Sequence, residues 1–481
     1  MNRRMIANIL GKVLEIFAVL MLLPLLVACI CREDGSAIAF AVSGGLTGLA
    51  GYVLRHIPTR TKEIFAREGF ASVGLAWIAM GIFGALPFVL NGDIPDWFDA
   101  LFESVSAITT TGASIVSNTE AMSRSGLFWR MFMHWIGGMG VLVFLLAVMP
   151  NGEEHTMHIM RAEVAGPTVG KLVPKASQTA QILYVIYAGL TVLETIMLML
   201  GGMSFYDALL HACATACTGG FSTRTASIAA FDSAYIETVI SIFLVIFGIN
   251  FNLYYFILIG HVKEALKSEE LHLYFGIIIA STVAIAAGIV KMYGGIASAL
   301  HIAFFNTMAV ITTAGFITVD FTTWPHYTQF ILVLLMFMGG CAGSTAGGMK
   351  VSRVLLLMKT AAADIAKVLH PREARCVRMD SRRVSDATTK AVYSYFFIYL
   401  SVILFAGCIV SMDGFDFTTS FTAALACMSN VGPGLAMIGP MSSYAIFSKF
   451  TRFVLMIVML LGRLEVYPIV ILASPALWKR K

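Results

Sequence analysis

A short stretch recurs four times along the chain, and the recurrence restricts the fold more than any single motif. Its clearest copy, residues 305–316, reads Phe305-Asn306-Thr307-Met308-Ala309-Val310-Ile311-Thr312-Thr313-Ala314-Gly315-Phe316. Weaker copies in the same register occupy residues 102–113, 210–221 and 422–433, and carry Thr110-Thr111-Gly112, Thr218-Gly219-Gly220 and Asn430-Val431-Gly432. Each is a helix-compatible run of small and apolar residues, then small polar residues, then a glycine. Copies about a hundred residues apart mark an internal repeat. Roughly ten helical residues rise about 15 Å, half the hydrocarbon core of a bilayer. Such a segment descends halfway, turns at glycine and climbs back. Irregular backbone at that depth persists only where protein buries it or where it lines a water-filled cavity. Four such turns about one axis aim carbonyl and threonine hydroxyl oxygens at a common centre, which is how a dehydrated cation is held. The alternative for each copy is an ordinary buried helix end with a glycine C-cap.

Composition settles the medium. The chain is 58% hydrophobic and 13% charged, against about 25% charged in soluble domains, so it reads as an all-α polytopic membrane protein. The eight cysteines form no CxxC pair, and Cys29, Cys213, Cys341, Cys408 and Cys427 lie inside apolar runs. They indicate neither a disulfide framework nor a metal site. The first apolar run, residues 6–30, is too long for a signal-peptide core and lacks a clear small-x-small cleavage site, so it reads as a retained span.

Taken in order, residues 1–54 supply two leading spans (6–30 and 37–53) outside the repeat. Repeat one covers 69–150, with spans at 69–90 and 128–149 around its half-helix; repeat two covers 181–262, with spans at 181–200 and 235–259. Repeat three covers 272–358, with spans at 273–290 and 330–358, and repeat four covers 391–475, with spans at 391–410 and 447–472. Basic residues fall between these units: Arg55, Arg60, Lys62 and Arg67; Arg161, Lys171 and Lys175; Lys263 and Lys267; the stretch 350–390; and Lys479-Arg480-Lys481. With Arg3 and Arg4 cytoplasmic, every cluster lands inside, as the positive-inside rule requires. The turns at 115–125 and 222–233 then lie outside, and the repeat glycines lie toward the extracytoplasmic half.

Several residues are costly in a membrane. Arg463, deep in the last span, costs about 2.5–3.5 kcal/mol at the bilayer centre unless it faces an interior or cavity. Two roles that do not exclude each other are open: it pairs with Glu465 or a carbonyl, and it lines the conduction path as an electrostatic barrier. The second span of repeat three contains Gly339, Gly340, Gly343, Gly347 and Gly348 around Ser344 and Thr345. At about 1 kcal/mol per glycine relative to alanine, a continuous helix is not expected there. This is the one interruption visible in a second span, and it reads as a flexible loop beneath the turns that gates flow; close packing through small residues is the plain alternative. Residues 343–350 nearly spell a phosphate loop, but Met349 intrudes before Lys350 and no α/β strand precedes it, so that reading fails. Glu153-Glu154-His155-Thr156-Met157-His158 is an ordinary solvated connector more readily than a metal pair, and Asn250 and Asn252 read as links between helices. Glu103 and Glu194 leave ion-coupled transport open. A membrane enzyme lacks support, since His134, His211 and His301 fall in separate units without HExxH or GxSxG.

With these features in hand, the chain resembles the Trk/Ktr/HKT superfamily of potassium transporters over essentially its whole length. The resemblance rests on the four turns, on Trp135-Ile136-Gly137-Gly138-Met139-Gly140, on Thr218-Gly219-Gly220-Phe221-Ser222-Thr223, on the glycine-rich break and on Gly462-Arg463-Leu464-Glu465. The two leading spans favour its TrkH/TrkG type of membrane subunit over the shorter KtrB type. The resemblance implies four pseudo-symmetric helix–pore-loop–helix repeats around one central pore, in a homodimer in the bacterial inner membrane. It implies docking on a TrkA-type cytosolic nucleotide-binding regulatory subunit, and the chain itself shows no nucleotide-binding domain. It implies a potassium-binding filter of Thr110, Thr111, Gly112, Thr218, Gly219, Gly220, Thr313, Ala314, Gly315, Asn430, Val431 and Gly432. The gate is then Gly339, Gly340, Gly343, Ser344, Thr345, Gly347 and Gly348, with Arg463 just below the filter. The filter departs from the TVGYG signature of tetrameric channels, lacking its second glycine and carrying Asn430 and Pro433 in the fourth copy. In related plant transporters, serine at the first filter glycine goes with sodium transport. The expected ligand is potassium, bound and transported, with no other cofactor and no nucleic acid. The basic stretch 350–390 suits either a partner or anionic lipid headgroups.

Overall fold

The computed structural model describes residues 3–58, 66–140, 176–370 and 376–475. Arg60, Lys62, residues 141–149 of repeat one's expected second span, the 153–158 segment, Arg161, Lys171, Lys175 and Lys479-Arg480-Lys481 lie outside the described residues. Within them the chain is helical apart from one hairpin, Arg378–Met379 paired antiparallel with Arg382–Arg383. Its two-residue turn, Asp380-Ser381, takes φ values of 48° and 64°, the left-handed pair that matches strand twist.

Six described helices are long and apolar enough to cross a membrane: Arg3–Cys31, Asp34–Arg55, Arg67–Leu90, Gln178–Leu200, Glu269–Ile289 and Asp386–Ser411. They are the two leading spans and the first span of each repeat. After each first span comes a half-helix: Trp97–Ile108, Phe205–Ala216, Ile296–Ile311 and Phe417–Ser429. A second helix follows: Arg124–Met139, Ala234–Phe247, His326–Met338 and Lys449–Arg463. Short polar side chains start most of these. Asp96, Ser204 and Asp416 accept from first-turn N–H groups of three half-helices, and Ser123, Ser233 and Ser448 do so for three second helices. Such caps satisfy donors that a helix start leaves without intrahelical partners.

Repeat three is not alone in having a broken second span, contrary to the sequence expectation. Residues 235–259 form two helices, Ala234–Phe247 and Phe251–Leu258, bent 88° from each other. The first ends at Phe247 with Gly248 as its C-cap, and Asn250 starts the second by accepting from Asn252 N at 3.0 Å. Residues 447–472 likewise divide after Arg463, and a helix with proline in its first turn, Tyr467–Ala473, follows. In repeat one the helix stops at Met139, with Gly140 at φ 87°. The second helices are thus 13 to 16 residues long, too short to cross alone. Among the described residues, what distinguishes repeat three is the long glycine-rich loop between His326–Met338 and Val351–Leu369.

The leading pair packs at backbone distance: a Cβ on Gly11 would stand 2.6 Å from the Gly51 carbonyl oxygen, the close approach that small residues allow in membranes. Glu33, in its turn, accepts from Arg124 N at 2.8 Å, Ser125 N at 3.1 Å and Ser125 Oγ at 2.6 Å. That docks the pair on the second helix of repeat one. Repeat four returns to meet repeat one: Lys449 Nζ lies 2.8 Å from Asp96, Arg452 pairs with Asp99, and Tyr444 N donates to Ser114 O at 2.9 Å.

Candidate functional site

Each half-helix ends the same way. Thr110, Thr218, Thr313 and Asn430 take φ values of 56°, 53°, 61° and 55°; two residues on, Gly112, Gly220, Gly315 and Gly432 take 77°, 71°, 70° and 92°. In three copies the intervening residue donates back into the helix: Thr111 N to Ser106 O at 3.0 Å, Gly219 N to Ala214 O at 2.9 Å, Val431 N to Ala426 O at 2.9 Å. In an ordinary glycine C-cap, glycine itself is the left-handed residue that ends the helix. Here threonine or asparagine has that place, and the glycine serves something else. Asparagine tolerates the left-handed region, but a β-branched residue there is an outlier costing on the order of 1–3 kcal/mol. Three such threonines at equivalent positions are strain held in place by the surroundings.

What the glycines serve is visible in their neighbours. A Cβ on Gly112 would stand 2.3 Å from Gly219 O, on Gly220 1.7 Å from Ala314 O, on Gly315 2.0 Å from Val431 O, and on Gly432 2.7 Å from Thr111 O. Repeat one thus abuts repeat two, two abuts three, three abuts four, and four abuts one. The twelve residues expected from the sequence come together as one closed ring. Only glycine at each corner lets the neighbouring carbonyl approach so closely. Three of the threonine hydroxyls also bond within the frame around the ring. Thr111 Oγ1 is 2.8 Å from Thr109 Oγ1 and accepts from Asn430 Nδ2 at 2.9 Å; Thr218 Oγ1 donates to Cys217 O at 2.7 Å; Thr313 Oγ1 accepts from Gly347 N at 2.6 Å. They tie the ring to its frame.

A cavity of about 170 Å³ touches all four ring glycines, and its wall includes Arg130, Ser114 and Tyr444. Arg130 is held by Glu103 (Nε to Oε1, 2.6 Å) and by Ser114 Oγ at 2.9 Å, and its guanidinium lies 3.4 Å over the Phe221 ring. Ser114 Oγ and Ile115 N also donate to Glu103. Tyr444 Oη donates to Gly432 O at 2.6 Å. A second cavity, of about 60 Å³, is lined by Gly140, Gly347, Lys350, Arg463 and Glu465.

Between the second cavity and the ring lies the glycine-rich loop. Gly347 N reaches Thr313 Oγ1, and Gly348 N donates to Ser429 O at 3.0 Å, so the loop bonds to the ends of half-helices three and four. Cys341 N donates to Gly248 O at 3.0 Å, and Thr345 Oγ1 to Phe247 O at 3.2 Å. These are the carbonyls freed by the break in repeat two. Arg463 does the same for repeat one: it donates to Gly137 O at 2.6 Å, to Gly138 O, and to Thr345 O at 2.9 Å. Of the two sequence roles, Arg463 therefore bonds carbonyls while lining the second cavity. It does not take Glu465, which forms a two-pronged pair with Arg353 at 2.5 and 3.0 Å. Arg353, read only as part of a basic stretch, and Glu270, which accepts from Ala342 N at 2.7 Å and Ser352 N at 2.9 Å, went unseen in the sequence. Their partners lie 72 to 112 residues away, and no local pattern marks such pairs.

Membrane-crossing helices, four half-length helices and a closed ring of glycines and carbonyls define a multi-pass membrane protein of transporter architecture. The chain belongs to the TrkH family: the family model described as "Cation transport protein" matches residues 38–277 and 271–480. It is 35% identical to the Trk system potassium uptake protein TrkH of Halomonas elongata, over all of both chains. With TrkG of Escherichia coli K12 it shares 32% over 99% of each chain. The crystal structure of the potassium transporter TrkH from Vibrio parahaemolyticus superposes with a TM-score of 0.87 at 33% identity, covering 100% of both chains. Membership places the protein among transporters, not enzymes.

Proposed function

We propose that the protein takes up potassium across the bacterial inner membrane through the ring at Gly112, Gly220, Gly315 and Gly432, and that residues 339–348 gate the pathway. The observation that carries this reading is the cyclic approach of each ring glycine to the next repeat's carbonyl. The carbonyls of Thr111, Gly219, Ala314 and Val431 replace the ion's hydration shell, and the threonine hydroxyls and Asn430 hold them in place. The cavity beside Arg130 is the extracytoplasmic vestibule, the cavity beside Arg463 faces the cytoplasm, and the N-terminus is cytoplasmic. The chain works as a homodimer with a TrkA-type nucleotide-binding regulatory subunit, as the family resemblance implies; the relatives' names, as parts of a Trk system, support a multi-component assembly. The basic stretch 350–390 meets that subunit or lipid headgroups.

A second reading, a carrier coupled to protons or sodium, is favoured by one residue. Glu194 is fully buried, with no charged partner among the described residues and with Thr215 as the neighbour of its carboxylate. Glu103 does not favour it, since its carboxylate is taken up by Arg130, Ser114 and Ile115 N. Flux through purified protein in liposomes separates the two. Downhill potassium and rubidium flux, exceeding sodium and lithium and indifferent to an imposed proton gradient, is the expected result. Flux that follows the proton gradient establishes the carrier, and equal sodium flux removes the selectivity reading.

A further inference from the structure

Charged donors hold three carbonyls of the loop from Gly339 to Lys350, Arg463 at Thr345, Lys350 at Ala346 and Arg353 at Met349, but its N–H groups go almost wholly to uncharged acceptors. Its N–H groups at Cys341, Thr345, Gly348, Met349 and Lys350 donate to backbone carbonyls, and that of Gly347 to a threonine hydroxyl. One partner differs. Glu270 Oε1 accepts from Ala342 N at 2.7 Å and from Ser352 N at 2.9 Å. A single buried carboxylate oxygen thereby grips both shoulders of the loop, and it does so from the opening turn of another helix, Glu269–Ile289. Bonds to a carboxylate are roughly twice as strong as bonds between neutral groups.

The neighbouring residue grips something else. Glu269 Oε2 takes Lys359 Nζ at 2.5 Å and Asp380 N at 3.1 Å, while Glu269 N donates to Asp380 Oδ1 at 2.9 Å. Lys359 sits on the helix that leaves the loop, Val351–Leu369, and also donates to Arg378 O at 2.9 Å. Asp380 is the turn of the exposed hairpin. Two adjacent residues therefore join the loop beneath the ring to a surface hairpin carrying Arg378, Arg382 and Arg383.

We propose that Glu270 is the latch of the gate: a positioning residue whose carboxylate holds the loop closed under the ring. Displacement of the hairpin, transmitted through Glu269 and Asp380, withdraws the latch. The inference rests on the gating role given above to residues 339–348. Without Glu270 the N–H groups of Ala342 and Ser352 lose their acceptor in the closed state only, so closure weakens while the ring is untouched. Glutamine keeps an oxygen able to accept both bonds, and aspartate is one methylene too short to keep both.

Rubidium flux into liposomes bearing this chain alone tests it, with hydrogen exchange of the loop amides measured on the same samples. Glu270→Ala raises partner-free flux about tenfold or more, the shift that follows from orphaning a buried donor, and speeds exchange at residues 341–352. Glu270→Asp gives an intermediate rise, and Glu270→Gln a smaller one of about two- to fourfold, because the amide oxygen keeps both bonds but loses the charge that strengthens them. A variant lacking residues 344–346 serves as the control on the gate itself. If that deletion raises flux and Glu270→Ala does not, the latch is overturned. If the deletion leaves flux unchanged, the gate reading fails first and the latch with it. Equal rises in Glu270→Ala and Glu270→Gln also overturn the latch, because the amide retains the acceptor.

Discussion

Four residues that look interchangeable in the sequence are not equally crowded in the ring. Gly220 has the Ala314 carbonyl 1.7 Å from where a Cβ would sit, and Gly112 has Gly219 O at 2.3 Å. Both have φ above +70°, where an L-residue costs about 1–2 kcal/mol before any collision. Serine at either position must push the neighbouring carbonyl out of the ring. Because the ring closes on itself, the displacement passes from one repeat to the next. Gly112→Ser and Gly220→Ser are each expected to lower potassium-over-sodium discrimination by roughly tenfold or more, or to abolish flux. Gly220→Ser should be the more severe. Size-exclusion profiles matching the parent confirm intact assembly, and liposome flux of each ion checks the effect. Unchanged discrimination in both variants would remove the ring from the selectivity reading.

At the scale of elements, the recurring device is the helix that stops halfway. A stopped helix exposes its last carbonyls, and this fold supplies donors from elsewhere: Arg463 for repeat one, the loop of repeat three for repeat two. Repeat four is tied differently, through Glu465 just past its break, which takes Arg353 while the Arg353 guanidinium lies 4.0 Å over the Tyr395 ring. Removing one member leaves the other charged and largely buried. Arg353→Met or Glu465→Gln alone should each destabilise by roughly 3 kcal/mol, the low end of the cost of orphaning a buried charge. The double variant should lose clearly less than the sum. Thermal unfolding of all four proteins in detergent closes the cycle, and strict additivity would mean the pair is not coupled. The half-helices were legible in the sequence because small residues followed by glycine at half a membrane's depth is a local pattern. The breaks after Phe247 and Arg463 were not, because an apolar run reads the same whether straight or bent through 88°. Only the Gly248-Ile249-Asn250 step and Pro468 hinted at them. Glu270, Arg353 and the occupied threonine hydroxyls were hidden for another reason: their roles are set by partners that the fold, not the sequence neighbourhood, brings near.

For the molecule as a whole, the ring encloses a pathway only because the last repeat closes onto the first. Part of that closure is apolar and part lies on the rim where the half-helices begin, outside the spans. There the Lys449 ammonium, hydrogen-bonded to Asp96, holds its carboxyl below the usual range, and Thr419 does so for Asp416; Thr225 does so for Glu120 in the turns that join repeats one and two. A carboxyl lowered in the folded state adds stability that is complete above its unfolded pKa of about 4 and is lost as pH falls through the folded value. The melting temperature in detergent should therefore change little from about pH 7 to 5 and drop below about 4. Asp96 and Asp416 also cap half-helices, and asparagine caps as well as aspartate, so the paired change Asp96→Asn and Asp416→Asn separates charge from cap. That protein should melt close to the parent at neutral pH, because the Asp96–Lys449 pair is exposed on both sides and such pairs contribute about 1 kcal/mol or less. Its acid drop should be shallower. A drop of the parent's full depth would place the acid sensitivity elsewhere, and would mean that the packing of Phe102 on Tyr444 and the bond from Tyr444 N to Ser114 O hold the ring closed without help from the rim.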